Sequence, residues 1–310
     1  MIRDYVSIAR PNHWFKNVFM LPGVVLGWLA CPPDSATSAS FWLAWSLLAT
    51  CLVCSSNYTI NEVLDAPEDR NHPHKRTRPV AAGRIRVSWA YLQWLGLGLA
   101  GMGMAWFVGL PFFLSELALF VMGIVYNVRP LRSKDRPYLD VLSESVNNPL
   151  RLLLGWYAVR CPLIPPASLA LSYWMLGAFF MAIKRFAELR HLNDRQVAVN
   201  YRKSFAHYTP ELLLISVVFY ATAFALFGGI FLIRYRVELI LGVPFIAGFM
   251  AMYMRLGFLP DSPAQRPEQL YKCKAFTAYA CLTAAILVAC LIIRIPLLSR
   301  IFETTIPGGF

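Results

Sequence analysis

The sequence predicts an all-α, polytopic membrane bundle of about nine transmembrane helices forming one domain, residues 1–310. Three observations predict it. The chain is 57% hydrophobic with a mean hydropathy of +0.50, whereas a soluble domain is about 45–50% apolar. Apolar stretches recur along its whole length. Lysine and arginine concentrate in alternate loops, as the positive-inside rule requires.

Each apolar stretch is close to the ~20 residues a spanning helix needs. They fall at 15–33, 40–62, 88–108, 111–128, 138–160, 167–186, 210–233, 237–257 and 275–297. The N-terminus carries Arg3, Arg10 and Lys16, whereas the loop at 31–39 carries no basic residue. Residues 66–87 carry Arg70, Lys75, Arg76, Arg78, Arg84 and Arg86, and the turn at Leu110 carries none. The next basic loop holds Arg129, Arg132, Lys134 and Arg136. Arg234 and Arg236 break the pattern weakly. The expected topology has the N-terminus and the active site cytoplasmic, in a cell (inner) membrane. This distribution argues against nucleic acid as the partner of the +12 net charge. Basic residues precede the first apolar stretch without a small-residue cleavage site after it, so that span is read as retained. The seven cysteines lie mostly in or near apolar spans. Cys51 and Cys54, a C-x-x-C inside an apolar helix, read as packing.

Ionisable residues inside a bilayer are costly and mark function. Here they gather at the ends of two spans. Asn57, Asn61, Asp65 and Asp69 are spaced by four, which lines them along one helical face. Glu62 and Glu68 lie beside them. Stacked carboxylates repel, and a hard cation would relieve this while orienting phosphate oxygens; magnesium suits one or two carboxylates plus phosphates and waters. The following loop supplies Lys75, Arg76 and Arg78, of which the arginines can clamp phosphate bidentately. His72 and His74 flank Pro73 and read as loop residues. On the fifth span, Asp140, Glu144, Asn147, Asn148 and Arg151 trace a second polar face, with a Glu144–Arg151 pair as the plain structural alternative. Pro149 there can break the helix. The sixth span ends in Lys184, Arg185 and Glu188, where Lys184 and Glu188 can pair four residues apart. Arg202 and Lys203 follow in the next loop. Neither a phosphate-loop, nor a dinucleotide, nor a zinc-protease motif occurs.

Asn61-Glu-Val-Leu-Asp65-Ala-Pro-Glu-Asp69 resembles the N-D-x-x-D-x-x-x-D signature of the UbiA-type intramembrane prenyltransferase superfamily, with Glu62 replacing an aspartate. Within it, the chain most resembles the decaprenyl-phosphate phosphoribosyltransferase branch. The stretches Arg10-Pro-Asn-His-Trp14-Phe-Lys16-Asn17, Asp69–Gly83, Lys184-Arg185-Phe-Ala-Glu188-Leu189 and Arg202-Lys-Ser-Phe-Ala-His-Tyr208 carry this likeness.

The resemblance implies a UbiA-like fold and a magnesium-dependent transfer of 5-phosphoribosyl from phosphoribosyl diphosphate to a polyprenyl phosphate. Asp65, Asp69 and Asn61 would hold Mg2+, with Glu62 alongside. Lys16, Asn17, Asn57, Lys75, Arg76, Arg78, Arg151, Lys184, Arg185, Glu188 and Arg202 would contact substrate. Asp140 and Glu144 would take ribose hydroxyls or a second metal. Two other readings stay open: prenyl transfer from a prenyl diphosphate to a small acceptor, and a carrier whose polar stripes conduct. A transporter should show inverted repeats with helices broken at the midplane; the acids here sit at one face instead. Such a bundle is also compatible with a homo-oligomer.

Overall fold

A computed structural model describes residues 2–33, 35–70, 75–192, 194–265 and 267–302. His72, His74 and the basic residue Arg266 lie outside these. Helices occupy nearly all of the described chain, and among the described residues no strand forms. Two compact units result: Met1–Pro165 with Val199–His207, and Pro166–Ala198 with Tyr208–Phe310.

The first unit begins with α1 (Ile2–Ala9), an amphipathic helix burying Ile8 and Ala9. A 3-10 segment, Pro11–Met20, leads into α2 (Leu21–Ala30). The first predicted span is therefore a composite, because Pro11 and Pro22 impose their own starts on successive helical segments. The second span is α3 (Ala36–Asp69), opened by Ser35, whose hydroxyl accepts from the Ser38 N–H. Its 34 residues measure about 51 Å at 1.5 Å rise, well beyond a ~30 Å hydrocarbon core. The helix is accordingly longer than the apolar layer is thick.

Next come α4 (Val87–Val108) and α5 (Leu110–Asn127), joined by a tight turn at Gly109. The fifth predicted span is helical with a one-residue interruption. It forms α6 (Leu139–Ser145) and α7 (Asn147–Ala158), separated at Val146. Pro149 has no N–H to give the Ser145 carbonyl four residues back, which accounts for the interruption. Val146 keeps right-handed helical angles, its N–H donates to the Leu142 carbonyl and the Leu150 N–H donates to the Val146 carbonyl, so helical phase carries through from Asp140 to Arg151.

Met20, Ala49, Val53, Cys54, Phe112, Leu119, Leu150 and Leu154 form the central core of this unit. Helices α2 and α7 cross closely: a Cβ on Gly23 would lie 2.0 Å from the Leu152 carbonyl oxygen. Cys31 and Cys161 form a disulfide at the far ends of these two helices, a pairing the packing interpretation of the cysteines did not anticipate. Cys51 and Cys54 are free and buried, in line with that interpretation.

The second unit contains α8 (Ala167–His191), most of α9 (Arg195–Tyr201), α10 (Pro210–Tyr235), α11 (Val243–Gly257), α12 (Lys274–Ile292) and α13 (Pro296–Phe302). Phe180 meets Tyr253 edge-on at 4.7 Å between ring centres, and Phe249 stacks on Phe276. Among the described residues, six helical segments are long and apolar enough to cross a membrane: 36–69, 110–127, 167–191, 210–235, 237–257 and 274–292.

Candidate active site

The polar face of α3 is anchored turn by turn. Asn57 Nδ2 donates to the Leu119 carbonyl on α5 at 2.9 Å. Gly123 makes room for this amide, since a Cβ there would lie 2.1 Å from Asn57 Oδ1. One turn on, Asn61 Nδ2 donates to Asn127 Oδ1 at 2.5 Å, and Asn127 Nδ2 donates to the Gly123 carbonyl at 2.9 Å. Asn127 ends α5 and was not singled out from the sequence, being a lone amide at a helix end.

The carboxylates come next, and each holds a cation. Asp65 Oδ1 accepts from Arg132 at 3.1 Å and also pairs with Lys134. Lys134 Nζ donates to Asn127 Oδ1 at 2.9 Å as well. Arg132 extends to Glu68 at 2.9 Å and to Asp135 at 3.0 Å. Lys203 reaches Glu68 at 2.9 Å. Asp69 is buried and accepts from Arg78 at 2.6 Å. Arg132 and Lys134 entered the sequence reading only as topology charges; both are buried, which a surface charge run would not be. Burial holds the Lys134 ammonium below the usual lysine pKa, although the Asp65 carboxylate opposes the shift. Lys75 is lowered too, by burial first and by the neighbouring Arg78; its Nζ lies 4.6 Å from the Tyr201 ring centre. Arg76 is exposed.

Glu62 turns away from Asn61 and Asp65. Its Oε2 accepts from Arg10 at 3.3 Å, while its Oε1 is buried without a hydrogen-bond partner. Lys16 and Arg10 both approach the Tyr58 ring at 5.8 Å.

The second acidic pair is divided by its surroundings. Asp140, fully buried, accepts from Ser204 Oγ at 3.2 Å and lies 3.7 Å from Arg202. Glu144 is half-buried one turn further along α6. Arg151 sits on α7, two turns past Glu144. It donates to Asn17 Oδ1 at 3.1 Å, to the Asn147 carbonyl at 3.3 Å and to Cys54 Sγ at 3.6 Å. Asn17 in turn donates to Cys51. Arg151 and Asn17 thus form a polar knot deep among the helices, and the Glu144–Arg151 ion pair does not form. Lys184, Arg185 and Glu188 lie on α8 of the second unit. The pair along that helix is Arg185–Glu188 at 3.0 Å, in place of Lys184–Glu188.

The loop residues Arg129, Arg132, Asp135 and Arg136 also line a cavity of about 520 Å³. Among the described residues no three histidine, cysteine or acidic side chains are gathered as a closed metal cage. The donor set of Asn61, Asp65 and Asp69 is nonetheless all oxygen, which suits a hard cation that brings its own phosphates and waters.

The model of the UbiA prenyltransferase family matches residues 18–280. The chain belongs to the UbiA prenyltransferase family. It is an integral membrane transferase. It is 32% identical over 244 residues to decaprenyl-phosphate phosphoribosyltransferase of Corynebacterium glutamicum, covering 72% of this chain and 66% of that protein. A protein of the same name from Mycobacterium tuberculosis is 28% identical over 230 residues, 74% of each chain. The structure of a UbiA homologue from Archaeoglobus fulgidus bound to GPP and Mg2+ matches with a TM-score of 0.69, at 20% identity, over 94% of this chain and 100% of that one. That likeness establishes a UbiA fold.

Proposed function

We propose that this UbiA-family transferase moves 5-phosphoribosyl from phosphoribosyl diphosphate to a polyprenyl phosphate and releases diphosphate. The observation that carries the reading is the set of carboxylates on α3, each already matched by a lysine or arginine from a neighbouring loop. Such a site has the charge to take a polyanion and a divalent cation together. The name shared by the Corynebacterium glutamicum and Mycobacterium tuberculosis relatives suggests the substrate class.

In the reaction, a phosphate oxygen of the polyprenyl phosphate forms a bond to the anomeric carbon. The bond from that carbon to the diphosphate oxygen breaks, and the electron pair leaves with diphosphate. The attacking phosphate monoester is already largely ionised, so no strong general base is required. Asp65 and Asp69, with Asn61 beside them, would hold Mg2+, which neutralises charge on the departing diphosphate. When substrate enters, Lys134, Arg132 and Arg78 exchange carboxylate oxygens for phosphate oxygens. Lys75, Arg76 and Arg202 widen the cationic rim, and Lys16 extends it along Tyr58. Asp140, held by Ser204, and Glu144 are suited to ribose hydroxyls.

We place this site on the cytoplasmic side of a cell (inner) membrane. The acids adjoin the most basic loops, and the Cys31–Cys161 disulfide lies at the other ends of α2 and α7, as expected of an oxidising compartment. A second reading, prenyl transfer from a prenyl diphosphate, is favoured by one observation: the Archaeoglobus fulgidus homologue was solved with GPP. The test supplies purified protein and Mg2+ with phosphoribosyl diphosphate plus polyprenyl phosphate, and separately with a prenyl diphosphate plus an aromatic acceptor. Product in the first mixture alone supports the proposal; product in the second alone replaces it.

A further inference from the structure

A second cavity, of about 750 Å³, lies between α1 and the start of α4. Its volume is in the range of sites for small organic molecules. It is separate from the acidic site. α3 turns Thr59, Val63 and Ala66 toward this side, where Val63 and Ala66 join Ile8, Ile85 and Ala90 in an apolar cluster.

One end of the cavity is cationic. Arg84 pairs with Asp4 at 3.0 Å and remains about half exposed. This contact, with the Arg86 N–H donating to the Tyr5 hydroxyl, pins α1 against the loop. The Arg86 side chain is exposed, and among the described residues it has no ion-pair partner. Gln93 donates to the Tyr5 carbonyl at 3.0 Å and closes the floor. The other end is apolar: Trp89 is 55% and Leu92 57% exposed, and Leu95 and Leu99 continue the same open face of α4. Gly96, between them, meets no atom that would crowd an added Cβ. A cationic pocket at a helix start, with tryptophan at its edge and an open apolar strip below, matches the amphipathic profile of the bilayer interface.

We propose that this cavity seats the headgroup of an anionic membrane phospholipid, its phosphate on Arg86 and Arg84 and one acyl chain along Trp89, Leu92 and Leu99. The charge selects an anionic headgroup, and the continuous apolar face selects a lipid over a soluble phosphate.

The test uses the full-length protein in mixed micelles with equal amounts of phosphatidylglycerol and phosphatidylcholine, reading retained lipid by native mass spectrometry. The wild type retains phosphatidylglycerol preferentially. Arg86→Gln lowers that retention about fivefold, the ratio corresponding to ~1 kcal/mol per basic residue at an anionic surface. Arg255→Gln, the same charge change at an exposed residue of the second unit, leaves it unchanged. Trp89→Ala lowers retention of phosphatidylglycerol without altering its salt dependence. Equal retention of the two lipids, or an equal loss in Arg86→Gln and Arg255→Gln, overturns the proposal. Displacement of the lipid by millimolar inorganic phosphate also overturns it, because the pocket would then take the soluble ion. Transferase turnover measured on the same variants keeps this test independent of the reading of the acidic site.

Discussion

Replacing Asp65 by asparagine should destabilise the metal-free protein, although it removes one of several crowded carboxylates. The reason lies in who depends on Asp65. Arg132 and Lys134 are each only 8% exposed along their side chains, and Asp65 serves both. Arg132 keeps Glu68 and Asp135 after the change. Lys134 keeps only the Asn127 amide oxygen as a hydrogen-bond acceptor. Orphaning a buried charge costs about 3–5 kcal/mol, and a remaining hydrogen bond offsets roughly 1–2 kcal/mol of it. The expected loss is therefore about 2–3 kcal/mol. Lys134→Met removes the orphan, so the double variant should recover most of the loss, with a coupling of about 2 kcal/mol. The assay is reversible unfolding in mixed detergent–SDS micelles with a chelator present, on the wild type, both single variants and the double. Stabilisation by Asp65→Asn would mean that carboxylate repulsion outweighs the cation pairing and would refute the reasoning. Additive single variants would refute it equally.

Further outcomes follow from the same contacts. Arg78→Met removes the guanidinium at Asp69 and should lower kcat/KM roughly ten- to hundredfold, the scale of a charge-assisted hydrogen bond, read from initial rates at varied phosphoribosyl diphosphate. The folded-state pKa of Lys134 is lowered by burial. Its proton is lost as pH rises before that of an ordinary lysine near ~10.4, so the alkaline limb of kcat/KM should fall early; Lys134→Arg should move it upward, since kcat/KM reports the free enzyme. Under non-reducing denaturing conditions, thiol labelling should count the five cysteines outside the Cys31–Cys161 bond. Changing both bonded cysteines to serine should cost about 2–5 kcal/mol of stability while turnover persists.

The α3 stripe was legible because the four-residue spacing of Asn57, Asn61, Asp65 and Asp69 survives intact in a helix that continues to Asp69. Its partners were not. Lys134 lies 69 residues from Asp65, and a basic loop written for topology looks the same in sequence as one that folds back onto carboxylates. The second stripe keeps its helical phase through Val146, but its residues take separate partners that the spacing could not show: Asp140 takes Ser204 and Arg202, and Arg151 takes Asn17 and Cys54. Pro149 did signal the irregularity, which is one residue wide and leaves the helical phase intact. Glu62 follows the signature in sequence yet sits on another side of α3, facing Arg10. The disulfide had a trace in the topology, since Cys31 and Cys161 both fall in loops assigned to the outer face. With 130 residues between them, only the close crossing of α2 and α7 brings them together.

The central claim is tested most directly by transfer of label from [14C]-phosphoribosyl diphosphate into lipid, using detergent-purified protein, Mg2+ and a polyprenyl phosphate. Lipid-bound label should appear, depend on the polyprenyl phosphate, and disappear with a chelator or with Asp69→Ala. Folded protein that leaves all label in the aqueous phase with several polyprenyl phosphates would contradict it.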